Sequence, residues 1–290
     1  QKSFNQVVNI LMSEEQWDVQ FSQSIDNVVD MEVMGYLKSK FAVASMEERT
    51  MKETDVIAFI PPSEWKTNDA ELSKDKQIIF ETFERVDDWD FDVFAIEEYT
   101  HGHSLFVVSY TLMVKYDFLN KFNISEQILI NFLKEVESGY HPNPYHNSLH
   151  AADVLQVVHY SIAKGGASEF LRDEETFSVL LSAIIHDYDH PGLNNAFLVN
   201  AKSYLATLYN DRSILENHHS AQSFELMKSP QFDIFSGMTV EKRKEIRDIV
   251  IDVVLATDMG RHAKLVAKFK AKLENGIDLK KKEDIRLILQ

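Results

Sequence analysis

The chain has 290 residues, a formal net charge of −16 and no cysteine. Its length and its 44% hydrophobic and 26% charged residues suit a soluble globular protein with a large core. The acidic balance argues against binding a nucleic-acid polymer or an anionic membrane surface, and disulfides, thiolate zinc sites and cysteine nucleophiles are excluded.

Residues 1–60 read as one or two long amphipathic helices, ended at Pro61-Pro62 because proline neither continues a helix nor favours one before it. They are expected to act as a regulatory or homodimer-forming extension, or to pack on the chain's own domain. Residues 63–75 are polar and read as a linker, so the extension and linker take residues 1–75 and the compact domain residues 76–290. Opening at Gln1 rather than Met, the sequence reads as a fragment with its true start elsewhere.

The run Asp87-Asp88-Trp89-Asp90-Phe91-Asp92 reads either as a wrap on the domain surface or as a solvated turn. Apolar residues then recur at intervals of three and four. Ile128, Phe132, Leu133 and Val136 follow a capping Ser125, and Ile246, Ile249, Val250, Val253 and Val254 repeat the pattern. Nine glycines and six prolines leave few turns. The fold class is therefore all-α, a compact multi-helix domain with an N-terminal helical extension. Lys280-Lys281-Lys282 reads as a solvated helix end. The apolar runs 105–114 and 177–185 are too short to span a bilayer, and no signal peptide is visible. With the missing cysteines, this predicts a cytoplasmic protein, peripheral to membranes only through regions outside this sequence.

Histidines and carboxylates crowd the centre of the chain: His146, His150, His186, Asp187, Asp189, His190, Glu216, His218 and His219. His146 and His150, four apart, are expected on one helix face with Cβ atoms about 5–6 Å apart. His186-Asp187 closes the apolar run 177–185, where an unpaired aspartate would cost several kcal/mol unless a cation holds it. Asp187 can bridge two ions. The mixed nitrogen and carboxylate set suits zinc, and an adjoining site rich in oxygen and water suits magnesium or manganese. His190 and Glu216 are expected to orient bound waters. An isolated histidine such as His159 is read as a satisfied core residue. Asp189 is read as a cap on the Pro191-Gly192 turn rather than a ligand. Bound metals reverse the local field, so the net charge leaves room for a small phosphorylated substrate.

Four motifs follow in order: Asn143-Pro-Tyr145-His146-Asn-Ser-Leu-His150-Ala-Ala-Asp153, His186-Asp-Tyr-Asp-His190-Pro-Gly192, Leu215-Glu216-Asn-His218-His219 and Ala256-Thr257-Asp258-Met259. With Trp89-Asp-Phe-Asp-Val-Phe94 ahead of them, they resemble the class I 3′,5′-cyclic nucleotide phosphodiesterase catalytic domain from about residue 85 onward. Four motifs in sequence are far more specific than one short pattern. The resemblance implies metal-dependent hydrolysis of cAMP or cGMP to 5′-nucleoside monophosphates, with a metal-bridging hydroxide as nucleophile. It implies two divalent ions, Zn2+ with Mg2+ or Mn2+.

Residue by residue, the resemblance makes His146 the general acid and His150, His186 and Asp187 metal ligands. His190, Glu216, His219 and Thr257 would hold metal-bound waters, and Tyr145 and Met259 would line the substrate pocket. For Met259, ordinary core packing is the alternative. The family's remaining aspartate ligand, its purine-binding glutamine and the side chain that stacks on the base do not occur before Gln290. The resemblance therefore implies that the protein continues past Gln290 or omits part of the domain, and cAMP is not separable from cGMP. Two competing readings are a metal-dependent phosphohydrolase of the wider His-Asp type and a non-catalytic cyclic-nucleotide-binding or scaffold domain.

Overall fold

The computed structural model describes residues 78–290, residue 80 excepted. The expected helices of residues 1–60, the linker and the dimer contact lie outside the described residues. Among these residues there is no strand, and helices follow one another to the end, as an all-α reading requires.

Helices α1 (Val93–Tyr99), α2 (Ser104–Lys115), α3 (Phe118–Lys121), α4 (Glu126–Ser138), α5 (Ser148–Ala163) and α6 (Asp173–Ile185) form the first half. The second half comprises α7 (Asn195–Asn200), α8 (Tyr204–Leu208), α9 (Ile214–Leu226), α10 (Val240–Ala256), α11 (Met259–Asn275) and α12 (Lys282–Leu289). Two helices make the middle of the core. In α2 every residue from Ser104 to Val114 is buried, and in α6 every residue from Glu175 to Ile185. Both are mostly apolar, since a helix covered on all sides has no solvated face, and small hydroxyl residues such as Ser109, Thr111, Ser178 and Ser182 are buried with them. Helix α6 packs against α5 and α10, and α2 against α5 and α4.

Local signals place the helix starts. The Glu175 carboxylate accepts the Arg172 N–H at 2.8 Å, and Asp173, Glu174 and Glu175 put negative charge at the positive end of α6. In α10 the Thr239 side chain accepts from Lys242 N, and Ile246, Ile249, Val250, Val253 and Val254 form the buried stripe that the spacing predicts. Ser125 does occupy the N-cap of α4, yet its side chain makes no capping bond. Lys281 and Lys282 stand at the start of α12, where Lys282 reaches Glu245 at 3.1 Å.

The acidic-aromatic turn wraps the domain. Gln156 Nε2 on α5 donates to the carbonyls of Val86 and Asp88 at 2.9 and 2.8 Å. His159 is fully buried and satisfied at both ring nitrogens: Nε2–H donates to Asp87 at 2.6 Å, and Nδ1 accepts the Tyr116 hydroxyl at 2.9 Å. Trp89 meets the Tyr160 ring edge-on at 5.4 Å. A second, small apolar cluster of Leu198, Ala206, Ile214 and Leu215 lies beneath α7, α8 and the start of α9. No helix among the described residues is long and apolar enough to cross a membrane.

Candidate metal centre

Helix α5 begins at Ser148, with Asn147 as its cap: the Asn147 side chain accepts the His150 N–H at 3.0 Å. His150 therefore lies in the first turn while His146 precedes the helix, which corrects the expectation of two histidines on one helical face. Pro144 and the β-region backbone of Asn147 keep residues 143–147 out of the helix. The His146 and His150 ring centroids still stand only 5.9 Å apart.

Helix α6 delivers His186 at its C-cap and Asp187 just beyond. His186 Nε2 lies 3.2 Å from His150 Nε2, and Asp187 Oδ2 lies 3.4 Å from His150 Nε2 and 3.3 Å from His186 Nε2. The other Asp187 oxygen faces His219 Nε2 at 3.7 Å. Two groups with cation-binding geometry share that carboxylate: His150, His186 and Asp187, and Asp187, His190 and His219.

The second ring nitrogen distinguishes these histidines. His186 Nδ1–H donates to Ala183 O at 2.9 Å and His219 Nδ1–H to Tyr188 O at 2.6 Å, so each neutral ring turns a bare Nε2 toward Asp187. His190 is reversed. Its Nδ1 accepts the Gly192 N–H at 3.0 Å, so its neutral ring carries the proton on Nε2 and serves as a donor.

Electrostatics follow from crowding. Burial alone would raise the Asp187 carboxyl, but His150 and His186 outweigh it and hold it far below the ordinary carboxylate range. Burial alone would lower His186, and Asp187 beside it reverses that sign to a net rise. His219 is pushed down to about 3, chiefly by burial, and His190 to about 4 by burial and then by His146. Burial raises the Glu216 carboxyl, which accepts from Asn195 Nδ2 at 3.0 Å.

The His146 and His190 rings stack at 4.1 Å with an interplanar angle of 10°, and Tyr145 tilts over His150 at 4.5 Å. Met259 is 75% exposed, which rules out core packing for it. The Thr257 hydroxyl donates to Val254 O at 2.8 Å. Between them, Asp258 accepts the Ser213 hydroxyl at 2.6 Å, tying this junction to the start of the helix that carries Glu216. Asp189 does not cap the Pro191-Gly192 turn, because His190 takes the Gly192 N–H. Its oxygens instead receive His141 Nε2 at 2.8 Å and His218 Nε2 at 2.7 Å, so His218 belongs to neither group with cation-binding geometry. His141 and Asn195 escaped sequence reasoning, since single polar residues outside the histidine spacing carry no periodic signal, and Asp258, though inside the fourth motif, was given no role.

Residues 145–290 match the family model for 3′5′-cyclic nucleotide phosphodiesterase. The chain is 49% identical over 185 residues to a 3′,5′-cyclic-AMP phosphodiesterase 4 of Dictyostelium discoideum, covering 63% of this chain and 18% of that protein. It is 46% identical over 179 residues to a dual specificity calcium/calmodulin-dependent 3′,5′-cyclic nucleotide phosphodiesterase 1 of Drosophila melanogaster, covering 61% of this chain and 22% of that protein. A human dual specificity phosphodiesterase 1C is 38% identical over 214 residues, covering 73% of this chain and 30% of that protein. The matches thus take in less than a third of the length of these relatives.

Proposed function

Because this chain belongs to the 3′,5′-cyclic nucleotide phosphodiesterase family, we propose that it hydrolyses cAMP, cGMP or both to the 5′-nucleoside monophosphate. The observation that carries this reading is the triangle of His150 Nε2, His186 Nε2 and Asp187 Oδ2, with edges of 3.2, 3.3 and 3.4 Å. Neutral rings turning two nitrogens toward each other share at most one proton, so the triangle is poorly satisfied by itself. Three ligand atoms about 2.0–2.1 Å from a tetrahedral zinc stand about 3.3 Å apart, which fits these edges. His150, His186 and Asp187 would hold that ion. Asp187 would share its other oxygen with a second ion, Mg2+ or Mn2+, in a setting of carboxylate and water. When bound, the two cations supply an activated water and neutralise phosphate charge.

The chain's own residues do the rest. His190, with its proton on Nε2, donates to water beside the cations. His219 offers a lone pair there, and Glu216 and Thr257 complete the hold on water. Tyr145 and Met259 border the pocket from exposed positions. His146 donates a proton to the 3′ oxygen as the bond from phosphorus to that oxygen breaks and one forms to the incoming oxygen. An imidazolium N–H is a suitable proton donor for that role. The chain acts in the cytoplasm on this reading.

Hydrolysis of cAMP and cGMP, measured side by side with Zn2+ and Mg2+ or Mn2+ supplied, tests the proposal and ranks the substrates. Turnover of at least one is expected. Metal-dependent nucleotide binding without turnover would overturn hydrolysis in favour of a binding or scaffold domain.

A further inference from the structure

Asn143 is where the chain segments bearing His146 and His190 meet. Its side-chain Nδ2 donates to the backbone carbonyl of His146 at 3.0 Å and to that of His190 at 2.8 Å. Both acceptors are carbonyls, so only the amino end of the amide can face them; a flipped amide would set three oxygens together. One NH2 group therefore uses both hydrogens to clip its own segment to His190, 47 residues on in sequence. The Asn143 backbone carbonyl accepts Asn147 Nδ2 at 2.9 Å, and Asn147 caps the helix that carries His150.

The other end of the amide explains a glycine. Gly192 has φ +74, and a Cβ there would stand 2.7 Å from Asn143 Oδ1. The turn after His190 is thus pressed against Asn143, while the same Gly192 donates its N–H to His190 Nδ1. Ring stacking at 4.1 Å holds His146 against His190, but such a contact lets a ring slide. The clip at the two carbonyls fixes the backbones from which both rings project.

We propose that Asn143 is the positioning residue for the general acid: its amide sets His146 over His190, in register with the metal centre. This rests on the hydrolytic reading above. Asn143 touches no reacting atom, so its effect passes through the two rings whose backbones it holds, and chiefly through His146.

The test compares two substrates in the full-length protein. A cyclic nucleotide expels an alkoxide that needs a proton, whereas a p-nitrophenyl phosphodiester expels a phenolate that leaves without one. Asn143→Ala should lower kcat on the cyclic nucleotide by about tenfold or more, the scale set by sub-ångström misplacement, and leave the p-nitrophenyl ester within about twofold. In a His146→Ala background, adding Asn143→Ala should change turnover by less than about twofold, because the step it serves is already gone. Asn143→Ser, which keeps one shorter donor, should fall between wild type and alanine, and it carries the test if the alanine variant does not fold. Equal loss on both substrates, no loss on the cyclic nucleotide, or full additivity with His146→Ala would overturn the inference. A wild-type protein active on neither cyclic nucleotide would instead remove the hydrolytic reading and the reaction that Asn143 serves.

Discussion

A histidine's second nitrogen decides its chemistry at this centre. His186 and His219 spend Nδ1–H on backbone carbonyls and so keep Nε2 free, whereas His190 accepts at Nδ1 and keeps a donor. His146 stacks beside these rings, outside both groups with cation-binding geometry. Its removal should therefore separate turnover from metal content. His146→Ala in the full-length protein is expected to cut turnover about 10²–10⁴-fold, the usual range for acid–base catalysis, with metal retained. Near-normal turnover would end its role as general acid. Asp187→Ala should do the reverse at the metal: its carboxylate is common to both groups, so elemental analysis should find lower occupancy. Full occupancy would show that the bridging assignment is wrong. The His150, His186 and Asp187 group was legible from residue type and spacing, because such clusters are costly without a cation. Asn143 and Asp189 were not legible, since their partners are brought to them only by folding.

Helix α5 is held from its far end by a turn, and that tie depends on one carboxylate. Asp87 accepts His159 Nε2–H and meets Lys115 Nζ at 3.0 Å, while Tyr116 completes the His159 ring. Asp87→Ala would leave a ring N–H orphaned at a residue with no exposure, at a cost of about 1–3 kcal/mol. The lower half of that range is expected, because Asp87 is 36% exposed and water screens its charge. The His159 hydrogen bond, helped by Lys115 and against the opposing effect of burial, holds the Asp87 carboxyl below its ordinary range. A depressed carboxyl contributes stability above its unfolded value and loses it as pH falls through the folded one. The stability gap between wild type and Asp87→Ala, measured by urea denaturation, should therefore persist across neutral pH and close only below about pH 4. Closure near pH 6 would contradict this. Of the elements, α10 was legible from its stripe at three- and four-residue spacing. The start of α5 was not: helical spacing placed His146 inside it, while the Asn147 cap, a local side-chain bond, began the helix two residues later.

Folding itself assembles the groups proposed to hold and surround the metal. His150 opens one helix and His186 closes another, 36 residues on, and His219 comes from a third. An unfolded chain has no such centre, so cation binding would stabilise the folded state by mass action, about 4 kcal/mol when free metal is 1,000-fold above Kd. Cations compete with protons for the same lone pairs. His219, held at about 3, and Asp187, held far down by His150 and His186, stay unprotonated well into acid. His186 is the exception: Asp187 overcomes burial and raises it, so a proton takes its Nε2 before an ordinary histidine would titrate. Proton binding there should displace the metal from the acid side of neutrality downward. Thermal denaturation with and without EDTA, from pH 8 to pH 5, should accordingly show a large loss of Tm on chelation at pH 8. That loss should shrink steadily as pH falls through the histidine range, as the metal-loaded protein gives up its ions unaided. A loss of Tm that stays constant across the range would mean that the ligands do not titrate in competition with the metal, and the His150, His186 and Asp187 assignment would fall with it.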